Sequence, residues 1–138
     1  MKSILFVDDH EVLARLSCEI LETHGYRAVS SYSGADALAK FEKEQFDMLV
    51  TDFRMDGMNG LELARAVRSK HPDLPVIIVT GYGPIAGDKN FNDCLPKDEL
   101  FPTLLDKIKS YLGSADDHAA TEQQPDDLPN SAELKTGS

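Results

Sequence analysis

The chain of 138 residues contains no tryptophan, only two cysteines, and far fewer bases than acids. Each shortage excludes something. Cys18 and Cys94 show no metal-ligand spacing, and without an export signal a reduced pair is expected rather than a disulfide. Fourteen Lys and Arg against 24 Asp and Glu leave a net charge of −10, which argues against a nucleic-acid surface but not against a basic protein partner. No apolar run approaches a membrane span, so no membrane association is expected. The opening Met1-Lys2-Ser3-Ile4-Leu5-Phe6-Val7-Asp8 meets acid too soon for a signal peptide, and a cytoplasmic location is expected. A hydrophobic content of 41% with 28% charge leaves an ordinary globular composition, and the length suits one domain with a real core.

What is present alternates. Ser3–Val7 is a short apolar run ending in Asp8-Asp9 and reads as a strand. Glu11 to His24 places Val12, Leu13, Leu16, Ile20 and Leu21 near helical spacing, with Gly25 as the stop. Tyr26–Ser30 is a second strand. Ser33-Gly34-Ala35-Asp36 opens a second helix with Ala37, Leu38 and Phe41 inward. Phe46–Asp52 is a third strand, apolar until it ends abruptly in aspartate. Asn59-Gly60 leads into a third helix with Leu61, Ala64 and Val67 on one face, and Pro72 and Pro75 bracket its exit. Val76–Thr80 is the fourth strand and Cys94-Leu95 a short fifth. A last helix runs to about Leu112, with Pro102 tolerable only in its first turn. Between Gly81 and Asp93, Gly81, Gly83, Pro84 and Gly87 oppose a long helix. Five such alternations predict a parallel α/β sheet with helices on both faces. From Ser114 to Ser138 there are six acids, one lysine and almost no large apolar residues; this reads as a disordered acidic tail behind a domain spanning 1–113.

In a parallel sheet the carboxyl ends of all strands share one edge, where open α/β folds bind ligands. That edge collects Asp8, Asp9, Asp52, Thr80 and Lys97. Three carboxylates so close repel, and at least one is pushed toward protonation unless a cation compensates. A hard divalent ion such as Mg²⁺, with its preference for oxygen ligands, meets that need. Asp52 is then placed as a carboxylate nucleophile of the kind that forms an aspartyl phosphate. Lys97 supplies positive charge, and the Thr80 hydroxyl can donate to a phosphoryl oxygen.

Phe6-Val7-Asp8-Asp9, Asp52-Phe53-Arg54-Met55 with Gly60, Val79-Thr80-Gly81 and Lys97 together resemble the receiver domain of bacterial two-component response regulators, over residues 1 to about 113. The resemblance implies a flavodoxin-like (CheY-like) three-layer sandwich with strand order 2-1-3-4-5. It implies Mg²⁺-dependent transfer of a phosphoryl group from a kinase phosphohistidine to Asp52. Asp9, Asp52 and the backbone carbonyl of Arg54 would hold the metal, with Asp8 acting through water. Thr80 would be the switch hydroxyl and Lys97 the phosphoryl-binding lysine. The partners implied are a sensor histidine kinase or phosphotransfer protein and an unknown output protein, for a monomer or weak dimer that modifies only itself and is otherwise no enzyme. Alternatives are a phosphate sink, a pseudo-receiver acting as an interaction module, and an Asp-nucleophile phosphohydrolase. The last is disfavoured because Arg54 stands where such enzymes place a second aspartate.

Four departures from the family pattern stand out. Asp98 rather than proline follows Lys97, so no proline-assisted cis bond can aim the lysine. Cys94 occupies the position of the usual switch aromatic and is expected to be a small buried core residue. The interval from Thr80 to Lys97 is short by about one and a half helical turns, so the fourth helix should be stunted or irregular. Thr80-Gly81-Tyr82 is similar to a subgroup of single-domain receivers with a shortened fourth helix, and Tyr82 is expected to take part of the switch role. Asp56 replaces a usual proline and reads as a turn residue or cap. Arg54 and Tyr82 flank the family's path for hydrolytic water, which implies a long-lived aspartyl phosphate. His10, after the acid pair, reads as a helix cap.

Overall fold

The computed structural model describes residues 1–81, 85, 87–98 and 100–113. Tyr82 and the acidic stretch from 114 to 138 lie outside them. The element order is β1 (Ser3–Val7), α1 (Glu11–Thr23), β2 (Arg27–Ser31), α2 (Gly34–Lys43), β3 (Met48–Asp52), α3 (Gly60–Lys70), β4 (Val76–Thr80), β5 (Asp93–Pro96) and α4 (Thr103–Leu112). All strand pairs are parallel and the sheet order is β2-β1-β3-β4-β5, which is the flavodoxin-like arrangement. Among the described residues no helix lies between β4 and β5, in keeping with the glycines and proline of that interval.

Every residue of β1, β3 and β4 is buried, because helices cover both faces of the sheet. Alternation along each strand divides the core in two. Ile4, Phe6, Val50, Ile77 and Val79 face α1 and α4, meeting Leu21, Leu104 and Ile108. Leu5, Val7, Leu49 and Ile78 face α2 and α3, meeting Ala37, Leu63 and Val67. The edge strand β2 is less covered and lies one residue later than expected, its backbone tied to β1 from Ser3↔Arg27 to Val7↔Ser31.

The helix starts are capped as their sequences suggest. The His10 ring accepts from the Leu13 N–H, which makes Nδ1 an acceptor there and confirms its capping role. Ser33 caps α2 through the Asp36 N–H. Asn59 and Glu62 form a reciprocal capping box on α3. Pro102 stands at the N-cap of α4, where no helical N–H is needed, and its carbonyl accepts the Asp106 N–H at 3.1 Å.

The apolar residues of α1 split between two faces. Ala14, Cys18 and Leu21 are buried with Ser17, whereas Val12, Leu16 and Ile20 remain 53%, 51% and 37% exposed. The helix therefore carries two apolar lines, of which the sheet and α4 cover only one.

Candidate functional site

Parallel pairing brings the carboxyl ends of β1, β3, β4 and β5 to one edge. Asp52 is the last residue of β3 and pairs with Val79, and the next N–H, that of Phe53, donates to the Val79 carbonyl at 2.8 Å. Thr80 ends β4 beside Pro96, and the Lys97 N–H donates to the Thr80 carbonyl at 2.8 Å. Sheet geometry alone thus aligns Asp52, Thr80 and Lys97. Asp8 follows β1 and its N–H donates to the Ser31 carbonyl at 3.0 Å, so β2 fixes its height.

Carboxylate oxygens of Asp8, Asp9 and Asp52 lie within 4.8 Å of one another. Asp8 and Asp52 are buried, at 2% and 6% exposure, whereas Asp9 faces solvent. Lys97 bridges the two buried acids, its Nζ standing 3.1 Å from an oxygen of each. The lysine is therefore aimed at Asp8 and Asp52 although aspartate follows it. Continuation of the β5 backbone bond past Pro96 supplies the aim that a cis proline would give elsewhere. The cis peptide bond among the described residues is Phe101–Pro102.

The electrostatics follow from burial. Desolvation pushes the Asp52 carboxyl above its ordinary value; the Lys97 hydrogen bond opposes this, and the neighbouring Asp8 and Asp9 charges reinforce it. For Lys97, burial works against the charged form, but hydrogen bonds and attraction from Asp52 and Asp8 together outweigh it and raise the ammonium above its usual range. Asp52 is thus a partly desolvated carboxylate whose negative charge is under-compensated.

Asp8 has both oxygens engaged. Oδ1 accepts the His10 N–H at 2.9 Å and Oδ2 meets Lys97. An oxygen set so occupied suits contact with a cation through water, whereas exposed Asp9 can approach one directly. Arg54 lies exposed in the loop after β3, and Asp56 occupies the exposed turn before Gly57 (φ +77°). Cys94 is half-buried on edge strand β5 rather than fully buried, because among the described residues no strand pairs with the outer side of β5. Cys18 is buried on the inner face of α1, and burial pushes its thiol up to about 12, so it is inert packing.

Two supports of this site escape a reading of the sequence. Ser31, fully buried at the end of β2, holds Asp8 through its carbonyl and donates its hydroxyl to Asp36 at 2.6 Å. Gly60 begins α3 against Asp52 itself: a β-carbon there would lie 2.4 Å from the Asp52 carbonyl oxygen. Gly60 also donates its N–H to the Phe53 carbonyl at 2.8 Å. A glycine at a helix start is a common sequence feature, so only the fold discloses this contact.

Residues 4–109 match the family model described as the response regulator receiver domain. The chain belongs to the response regulator receiver family. It is 36% identical over 86 residues to the response regulator receiver protein CpdR of Brucella abortus, spanning 62% of this chain and 72% of that protein. It is 38% identical over 82 residues to the transcriptional regulatory protein GlrR of Escherichia coli, spanning 59% of this chain but only 18% of that protein. Among solved structures it is similar to the response regulator TrrA of Thermotoga maritima in complex with Mg²⁺-BeF. There the TM-score is 0.76 and the identity 33%, with 81% of this chain and 100% of that one covered. TrrA in complex with the histidine kinase ThkA matches with a TM-score of 0.74 at the same identity, covering 81% of this chain and 99% of that one. By family the chain is thus a response regulator receiver domain, and its acidic cluster agrees with a receiver metal site.

Proposed function

We propose that Asp52 of this receiver is the phosphoacceptor, taking its phosphoryl group from the phosphohistidine of a sensor kinase or phosphotransfer protein. The observation that carries this reading is the buried Asp52 carboxylate, flanked by Asp8 and Asp9 and touched by Lys97. One carboxylate oxygen of Asp52 attacks phosphorus; the new P–O bond forms as the P–N bond breaks, and the electron pair leaves on the donor imidazole. Lys97 can follow the developing charge from the Asp52 oxygen to a phosphoryl oxygen, and the Thr80 hydroxyl can donate to another. Asp9, Asp52 and the Arg54 carbonyl would hold Mg²⁺, with Asp8 acting through water. The ion would neutralise the carboxylates and the incoming phosphoryl oxygens.

A donor histidine must reach a buried carboxylate, so its carrier has to cover the rim around it. The exposed line Val12, Leu16 and Ile20 on α1 adjoins a groove lined by Leu13, Lys97, Asp98 and Phe101, which joins apolar surface to the site. We take it as the seat of a helix of the phosphodonor protein, since a helix presents apolar residues at the same spacing. The complex of TrrA with a histidine kinase supports this choice of partner. The site is a cytoplasmic one that acts on no substrate but itself.

The test is incubation with Mg²⁺ and acetyl phosphate, followed by intact mass. One phosphoryl adduct is expected on the wild type and none on Asp52→Asn. Absence of the adduct at any donor concentration would overturn the reading, as would sustained turnover of p-nitrophenyl phosphate.

A further inference from the structure

Helix α3 touches two things at once. Its first residue, Gly60, lies against the acceptor with no slack: besides the Asp52 carbonyl oxygen, the Phe53 Cα would be 3.0 Å from a β-carbon there. The helix is anchored in the core by Leu61, Leu63, Ala64 and Val67. Its distal half holds the chain that crosses from β4 to β5. Arg68 donates from Nε to the Leu74 carbonyl at 2.7 Å, from one terminal nitrogen to the Lys89 carbonyl at 2.8 Å, and from the other to Asn92 Oδ1. Arg65 pairs with Asp88 at 3.0 Å. Asn92 in turn accepts the Val76 N–H at 2.9 Å through the same oxygen and donates its own N–H to the Val76 carbonyl at 2.8 Å.

Residues 87–92 have no helix to give them internal hydrogen bonds. Their course is set by these side chains from α3, and by Asp88, which accepts from the Asn90 N–H and amide at 2.8 Å. Planar, three-way bonding from one guanidinium fixes direction as well as distance, which a lysine could not do.

We propose that α3 is the lever that carries the phosphorylation state of Asp52 to the crossover at 87–92, with Arg68 as the positioning residue of that coupling and Arg65 its auxiliary. A phosphoryl group adds charge and three acceptor oxygens at Asp52. Any resulting shift of the Asp52–Phe53 backbone is passed to α3 through Gly60, where no flexible side chain can absorb it. The arginines then pass the helix movement to the crossover. Arg68 touches neither the acceptor nor its acidic neighbours, so cutting the clamp severs the output while sparing the chemistry. The proposal rests on the reading of Asp52 as the acceptor.

Hydrogen exchange followed by mass spectrometry on the whole chain, with and without Mg²⁺ and beryllium fluoride, tests it. In the wild type the peptide covering 87–92 should change its exchange rate by ~3-fold or more when the peptide containing Asp52 responds. Asp52→Asn should show neither change. In Arg68→Met the Asp52 peptide should still respond and acetyl phosphate labelling should stay within ~2-fold of wild type, while the 87–92 response is lost. Asp88→Asn, a milder surface change, should reduce that response partly, and circular dichroism checks that both variants fold. A full 87–92 response in folded Arg68→Met would overturn the proposal. So would a wild-type response confined to the Asp52 peptide. Failure of the wild type to label or respond at all would instead remove the acceptor reading on which the lever depends.

Discussion

Replacing Gly60 by alanine puts the contact between α3 and Asp52 to the test. The added β-carbon would stand 2.4 Å from the Asp52 carbonyl oxygen, 3.0 Å from the Phe53 Cα and 3.1 Å from the Asp52 carbonyl carbon. All three are backbone atoms, so none can swing away. Ordinary contact requires a retreat of about 1 Å, either of the α3 start or of the β3 end. Overpacking of this kind costs roughly 1–3 kcal/mol, and alanine's better helix propensity returns at most ~1 kcal/mol. The expected net loss is ~1–2 kcal/mol, seen as a Tm lower by roughly 5–10 °C for a domain of this size. Misplacing a nucleophile by about 1 Å can cost up to ~100-fold in rate, and acetyl phosphate labelling is expected to slow by ~10-fold or more on the same ground. Two other glycines separate the causes. Gly87 has no atom within 4 Å of such a β-carbon, and Gly87→Ala should stay within ~0.5 kcal/mol of wild type. Gly57 has open space but φ +77°, so Gly57→Ala should lose ~1–2 kcal/mol through backbone strain without any collision at Asp52. Wild-type stability and labelling in Gly60→Ala would refute the claim that α3 abuts the acceptor.

Lys97→Met should cost ~1–3 kcal/mol in EDTA, because Asp8 and Asp52 are left buried without their counter-charge. The same variant should gain more from Mg²⁺ than the wild type does in a thermal melt, and equal gains would show that Lys97 does not compete with a cation for these acids. The Asp52 carboxyl is raised by burial, so its ionisation disfavours the native state. Its contribution to stability is present at low pH and is lost as pH climbs through the unfolded value near 3.8 towards the higher folded one. Asp52→Asn lacks that loss, and urea titrations in EDTA should show its stability advantage growing as pH rises above about 3.8. A difference that is flat or shrinks with pH would contradict the raised carboxyl.

Much of this architecture was legible in the residues. Buried parallel strands read as unbroken apolar runs, and Ser3–Val7, Met48–Asp52 and Val76–Thr80 are such runs, each closing on or just before a polar residue. The edge strands were placed less well, since β2 is half-exposed and β5 has only four residues, so neither has a strong apolar signature. Helix α1 shows the limit of periodicity. Val12, Leu13, Leu16, Ile20 and Leu21 share helical spacing, yet a helix has more apolar residues here than its core contact can take, and the pattern does not say which line faces out.

The site divides in the same way. Residue types and their order, by themselves, determined that three carboxylates, a hydroxyl and a lysine gather at one sheet edge, because a parallel sheet sends every strand's carboxyl end to the same side. Aim and support were decided by the tertiary structure. Lys97 reaches both Asp8 and Asp52 without a following proline because its backbone bonds to Thr80. Ser31 holds Asp8 from the neighbouring strand, and Gly60 lies on the Asp52 carbonyl. These are contacts between segments far apart in the chain, fixed by packing at ångström scale, and local sequence pattern carries no record of such distances.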